Sequence, residues 1–87
     1  MSEIQKVLDE REKTHGDFSD VAFVAQNLKA VTEAGKNYTK LTHVQREAMD
    51  MILAKMSRIL SGNANTRDHW EDISGYATLV VNSMEKK

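Results

Sequence analysis

Apolar positions recur along this chain at steps of three and four residues, the helical period, in four separate stretches. Ile4, Val7 and Leu8 give a narrow stripe that predicts a first helix over residues 2–14. Ser2 with Gln5 fits a capping box at its start, and Gly16 is the expected stop, with Asp17 or Ser19 as the next cap. Val21, Val24, Ala25, Leu28 and Val31 predict an amphipathic second helix over 19–34, ended by Gly35-Lys36-Asn37. Tyr38 to Leu41 reads as a connection.

The third helix, over 42–61, has the strongest pattern. Thr42 and Gln45 make a second capping box, and Gly62 is its stop. Val44, Ala48, Met49, Met51, Ile52, Leu53, Met56, Ile59 and Leu60 spread over well over half of its circumference. A helix apolar over so wide an arc is central in a bundle or shared with a second subunit. After the polar turn at residues 62–65, a fourth helix is expected over 67–84, with Trp70, Ile73, Ala77, Val80 and Met84 as its buried stripe. The pattern therefore predicts an all-α fold: one domain spanning 1–87, a bundle of about four helices with the third at its centre and the first detached from the rest.

Composition narrows this picture. A chain of 87 residues buries only about 60–65% of the surface its unfolded form exposes, so help from a metal, a partner subunit or tight helix packing is expected. Disulfides cannot supply it, because there is no cysteine. The absence of proline and the presence of only four glycines favour long helices. The formal charge is −1, with acids and bases interspersed, which gives no reason to expect nucleic acid as the partner. No stretch reaches the roughly 18 apolar residues of a membrane span, and the start of the chain does not read as a secretory signal. A cytoplasmic, membrane-free protein is the expectation.

Candidate chemistry concentrates on the last two helices. The third carries a polar strip of Arg46, Asp50 and Ser57, flanked by Glu47 and Arg58. The carboxylates of Glu47 and Asp50 are three residues apart and can converge. Asp68, Glu71 and Asp72 open the fourth helix, with Asp68 and Asp72 on one face and Gly75 and Leu79 continuing that line. Two antiparallel helices offering such pairs could hold Mg²⁺, and a Mg²⁺ ion so held binds di- or triphosphate. The acids equally suit a first helical turn, where the macrodipole favours them. Lys55 falls inside the apolar arc. It either snorkels to the surface or points a cation between helices, where phosphate or a carboxylate would compensate it. Gly75 implies close helix packing or room for a ligand beside Asp72. His15, His43 and His69 show no zinc spacing and sit at loop and helix-start positions usual for surface residues. Trp70 and Tyr76 read as core or interface anchors.

Three segments carry a resemblance: residues 10–18 (Glu-Arg-Glu-Lys-Thr-His-Gly-Asp-Phe), residues 45–52 (Gln-Arg-Glu-Ala-Met-Asp-Met-Ile) and residues 68–77 (Asp-His-Trp-Glu-Asp-Ile-Ser-Gly-Tyr-Ala). Together they resemble a family of small tailed-phage and prophage proteins of unknown function over nearly the whole chain. More distantly, acidic clusters on two successive helices are similar to those of the all-α MazG-like nucleotide pyrophosphohydrolases. That resemblance implies a Mg²⁺ site from Glu47, Asp50, Asp68 and Asp72, with Glu71 orienting water and Lys55 or Arg58 meeting phosphate. The first motif here lacks the doubled glutamate of those enzymes, and the second runs Asp-x-x-Glu-Asp. Two functions follow. One is a homo-oligomeric phage accessory protein that binds or hydrolyses (deoxy)nucleoside triphosphates in the host cytoplasm. The other is a non-enzymatic helical module that binds a host or phage protein.

Overall fold

The computed structural model describes residues 2–85, and they form four helices. They are α1 (Glu3–His15), α2 (Phe18–Glu33), α3 (His43–Ser61) and α4 (Arg67–Glu85), with a single 3₁₀ turn at Tyr38–Lys40. The all-α fold with a central third helix is as the sequence predicts: α3 packs against α4, α2 and α1, whereas α2 and α4 do not pack substantially on each other.

Local signals explain the ends of the elements. At α3 both halves of the capping box form: Gln45 N–H donates to the Thr42 hydroxyl, and the Gln45 side chain accepts from Thr42 N–H. At α1 only half forms. Ser2 accepts from Gln5 N–H, but the Gln5 amide turns outward to Asp9 at 2.9 Å. Asp17 stands at the N-cap of α2, yet its carboxylate takes the Ser19 hydroxyl instead of a backbone N–H. Gly16 closes α1 with φ +87°, a conformation that favours glycine.

That glycine sits where two parts of the chain cross. A Cβ on Gly16 would collide with the backbone of Ser61, and one on Gly62 would collide with the backbone of Thr14 to Gly16. The α1–α2 elbow and the α3–α4 corner therefore meet main chain to main chain. Thr14 fixes the crossing, its carbonyl accepting from Asn63 N–H at 3.1 Å and lying 3.3 Å from His69 Nε2. The first helix is thus anchored at its C-terminal end, which corrects the expectation that it stands apart. Its predicted apolar stripe, Ile4, Val7 and Leu8, nevertheless stays exposed.

Apolar burial is sparse. Ala48 and Leu53 are the buried hydrophobic side chains among the described residues, and Ser57 and His69 are the buried polar ones. The row facing α3 is Thr66, just before α4, followed by His69, Ile73, Tyr76, Val80 and Ser83 on the helix. The expected stripe shares Ile73 and Val80 with it, while Trp70, Ala77 and Met84 face outward. The reason is that α4 has two rows at helical spacing, and the one carrying polar residues is the one that packs. Val31 of α2 is likewise exposed.

Candidate functional site

At the crossing, side chains from three helices converge. His15 and His69 meet edge to face, with ring centroids 4.9 Å apart. His69 is 3% exposed and holds the Thr14 carbonyl, a bond that places the proton on Nε2. The Thr14 hydroxyl lies 2.6 Å from His15 Nδ1. Neither histidine is the surface residue that its position suggested. Beside them, Lys55 Nζ of α3 reaches the Asp72 carboxylate of α4 at 2.9 Å. The lysine side chain is 13% exposed and the aspartate 47%. Of the two roles open to Lys55, a cation between helices compensated by a carboxylate is the one realised.

The polar strip of α3 does not face solvent. Ser57 is fully buried, and its hydroxyl bonds back to the Leu53 and Ala54 carbonyls at 2.7 and 3.0 Å. Arg46 is held against Tyr38, its guanidinium 4.8 Å from the ring centroid and donating to the Tyr38 carbonyl. Arg58 is half-buried and turns toward the elbow. Together with Arg11, Glu12, His15 and the apolar Leu8, Phe18 and Val21 it lines a pocket of ≈ 180 Å³. Neither Arg11 nor Arg58 pairs with a carboxylate of the described residues.

The pocket lining carries the guanidiniums of Arg11 and Arg58 against the single carboxylate of Glu12. His15 is held below its ordinary value of 6.5, first by burial and then by the like charges of Arg58, His69, Arg11 and Lys55. Two unpaired guanidiniums and an imidazole around one recess suit an oxyanion, because guanidinium N–H groups match carboxylate and phosphate oxygens in pairs.

The acids take other positions. Asp72 is tied to Lys55, and Glu71 pairs with Arg67 at 3.3 Å on the exposed face of α4. Asp68 and Glu47 are exposed, and Asp50 is half-buried on α3. Among the described residues no three His, Cys, Asp or Glu side chains gather in a way that could hold a metal ion. Glu47, Asp50, Asp68 and Asp72 are thus not drawn into one group of three or more donors. Gly75 has open space around it instead of a packed neighbour.

Residues 1–84 match the family described as a domain of unknown function, DUF6378. The chain belongs to that family. No curated protein and no solved structure matches it. In this DUF6378 chain the converging groups come from far-apart segments: His15 and Gly16 from the first, Lys55 and Arg58 from the central helix, His69 and Asp72 from the last. Sequence reasoning reached Lys55, Arg58 and Asp72 but missed His15, His69 and Arg11. A usable signal was present, since Thr14-His15-Gly16 closes the first helix and His69 falls three residues before Asp72. No helix of the described residues is long and apolar enough to cross a membrane.

Proposed function

We propose that the chain binds a phosphate-bearing small molecule, a nucleotide by preference, at the elbow pocket. One observation carries this reading: the unpaired guanidiniums of Arg11 and Arg58 share a recess with half-buried His15. At ≈ 180 Å³ the recess suits a phosphate or diphosphate group more than a whole nucleoside; fully enclosed ligand sites are commonly about 300–1,000 Å³. The exposed ring of Phe18 at its rim offers a face on which a base would stack. Lys55 adds positive potential from behind while its own charge is balanced by Asp72.

In this reading the protein supplies the counter-charge itself. A Mg²⁺ ion accompanying the ligand would rest mainly on phosphate oxygens and water, as that ion commonly does. The resemblance to MazG-like pyrophosphohydrolases and to phage proteins makes a phage accessory role in nucleotide handling the natural setting, and it puts hydrolysis among the reactions to test. The deciding experiment is calorimetric titration of the full chain with inorganic phosphate, pyrophosphate and a panel of (deoxy)nucleoside triphosphates, with pyrophosphate release followed in parallel. Saturable binding lost in Arg58→Ala, at unchanged helicity, supports the reading. Absence of binding by every phosphate compound overturns it and favours the non-enzymatic interaction module. The exposed apolar side chains described above are the observation that speaks for that second reading.

A further inference from the structure

The surface of this chain is larger than its mass accounts for. Its accessible area is 6647 Å² at 9.8 kDa, whereas a folded monomer of that mass exposes about 5,200 Å², leaving roughly 1,400 Å² in excess. Its radius of gyration is 15.0 Å, against about 12 Å for a globular chain of this length. A standard interface covers about 800 Å² on each partner, and obligate homodimers cover more. The excess is therefore of the size that one subunit of an obligate dimer buries.

The outward row of α4 is the surface best suited to it. Trp70, Ser74, Ala77, Val81 and Met84 follow one another at steps of four, three, four and three, and all are exposed. Trp70 is 54% exposed, with its indole N–H donating to the Ala64 carbonyl at 2.8 Å. Beside this row runs a wholly apolar groove of ≈ 300 Å³ between α3 and α4, containing Met56 and Leu60. A seam with that spacing is what a second helix packs against at a shallow angle.

The row also complements itself. Its ends are bulky and its centre is small, with Trp70 and Met84 each seven residues from Ala77. Two copies of α4 laid antiparallel about a two-fold axis at Ala77 bring Trp70 of each against Met84 of the other. The small Ser74 and Ala77 let the backbones approach at the axis. A two-fold interface needs one self-complementary patch, and this row provides it.

We propose that the chain is a homodimer in which the outward rows of two α4 helices pack antiparallel across a two-fold axis at Ala77, with the groove holding Met56 and Leu60 closing over the seam. This stands independently of the phosphate site, which lies at the elbow. Sedimentation of the full chain over a range of concentrations should give twice the 9.8 kDa mass. Val81→Asp should weaken association by about tenfold or more, the effect of losing an interface anchor. Because that variant could also lose helicity, Ala77→Cys provides the second measurement. The natural chain has no cysteine, so mild oxidation of this variant should link two copies through α4, while Phe23→Cys on α2 stays monomeric on denaturing gels. A helical monomer at all concentrations would overturn the proposal and leave the row to a different partner. So would a dimer that Val81→Asp leaves intact and Ala77→Cys does not link.

Discussion

His15 and His69, 54 positions apart in the chain, stand edge to face with their ring centroids 4.9 Å apart. The burial of His15 at this contact should make the fold sensitive to acid. Burial, followed by the charges of Arg58, His69, Arg11 and Lys55, holds His15 below 6.5, so the folded chain resists a proton that the unfolded chain accepts. Stability from this group is full above pH 6.5. It falls as pH drops through the interval down to the lowered value and levels off below that, because within the interval the unfolded state binds more protons. Thermal melts followed by circular dichroism should show the midpoint dropping between pH 7.5 and about 5. In His15→Gln that drop should be visibly shallower. A variant that tracks the wild type at every pH would mean that His15 contributes nothing to the acid response.

The pair Lys55–Asp72 yields an asymmetric expectation. Removing the carboxylate leaves a mostly buried ammonium without compensation, whereas removing the lysine leaves a half-exposed aspartate that water can solvate. Breaking a fully buried pair costs about 3–5 kcal/mol and an exposed one under about 1. With Asp72 at 47% exposure, Asp72→Asn should cost roughly 1–2 kcal/mol, a drop of several degrees in Tm for a domain of this size. Lys55→Met should be close to neutral. Equal losses in the two variants would contradict the asymmetry.

The glycines separate just as clearly. Gly16→Ala forces a side chain onto φ +87° and into the Ser61 backbone, and Gly62→Ala drives one into the backbone of Thr14 to Gly16. Each should lower Tm by about 10 °C or more: at Gly16 a non-glycine residue at positive φ alone costs roughly 1–2 kcal/mol, at Gly62 the backbone collision sets the penalty, and each kcal/mol shifts a small domain by about 4–8 °C. Gly75→Ala meets nothing within 4 Å. Its added helix propensity should raise Tm by a few degrees, because alanine is favoured over glycine in a helix by about 1 kcal/mol. Melts of the three variants side by side check the ordering.

How much of this was legible in the sequence depended on whether a residue's role was periodic. The central position of α3 follows from its wide apolar arc, and the packing of Thr42 with Gln45 follows from residue type and spacing. On α4 two rows share the helical spacing, and hydrophobicity selects the wrong one. Trp70 and Met84 look more buried than His69 and Ser83, yet the second pair is the one that turns toward α3. Two polar members of the true row have partners, the Thr14 carbonyl for His69 and the Val80 carbonyl for Ser83, so burial costs them little, while the Thr66 hydroxyl is buried without one. The elbow was legible only in part. Gly16 announced a helix end, but the main-chain crossing with Gly62 is a contact between distant segments, and spacing along one helix cannot express it. The acids of α3 and α4 were legible as residues and not as a site, because convergence requires tertiary placement that their spacing does not fix.

If the elbow pocket recognises phosphate through the protein's own cations, binding should survive removal of metal. Neither Arg11 nor Arg58 is paired with a carboxylate of the described residues. A phosphate entering the pocket would also favour the protonated form of His15, so its affinity should rise as pH falls toward the lowered value of that histidine, opposite in sign to the effect on stability. Titration with pyrophosphate in excess chelator should therefore still show binding, tighter at pH 6 than at pH 8. Because groove contacts of this kind release counterions, affinity should fall as salt is raised. Arg58→Ala should reduce affinity by about tenfold or more, in line with roughly 1.5–3 kcal/mol for hydrogen bonds to a charged group. Binding that vanishes in chelator and returns with Mg²⁺ would instead assign the anion to a metal, and would move attention from Arg11 and Arg58 to the carboxylates of α3 and α4.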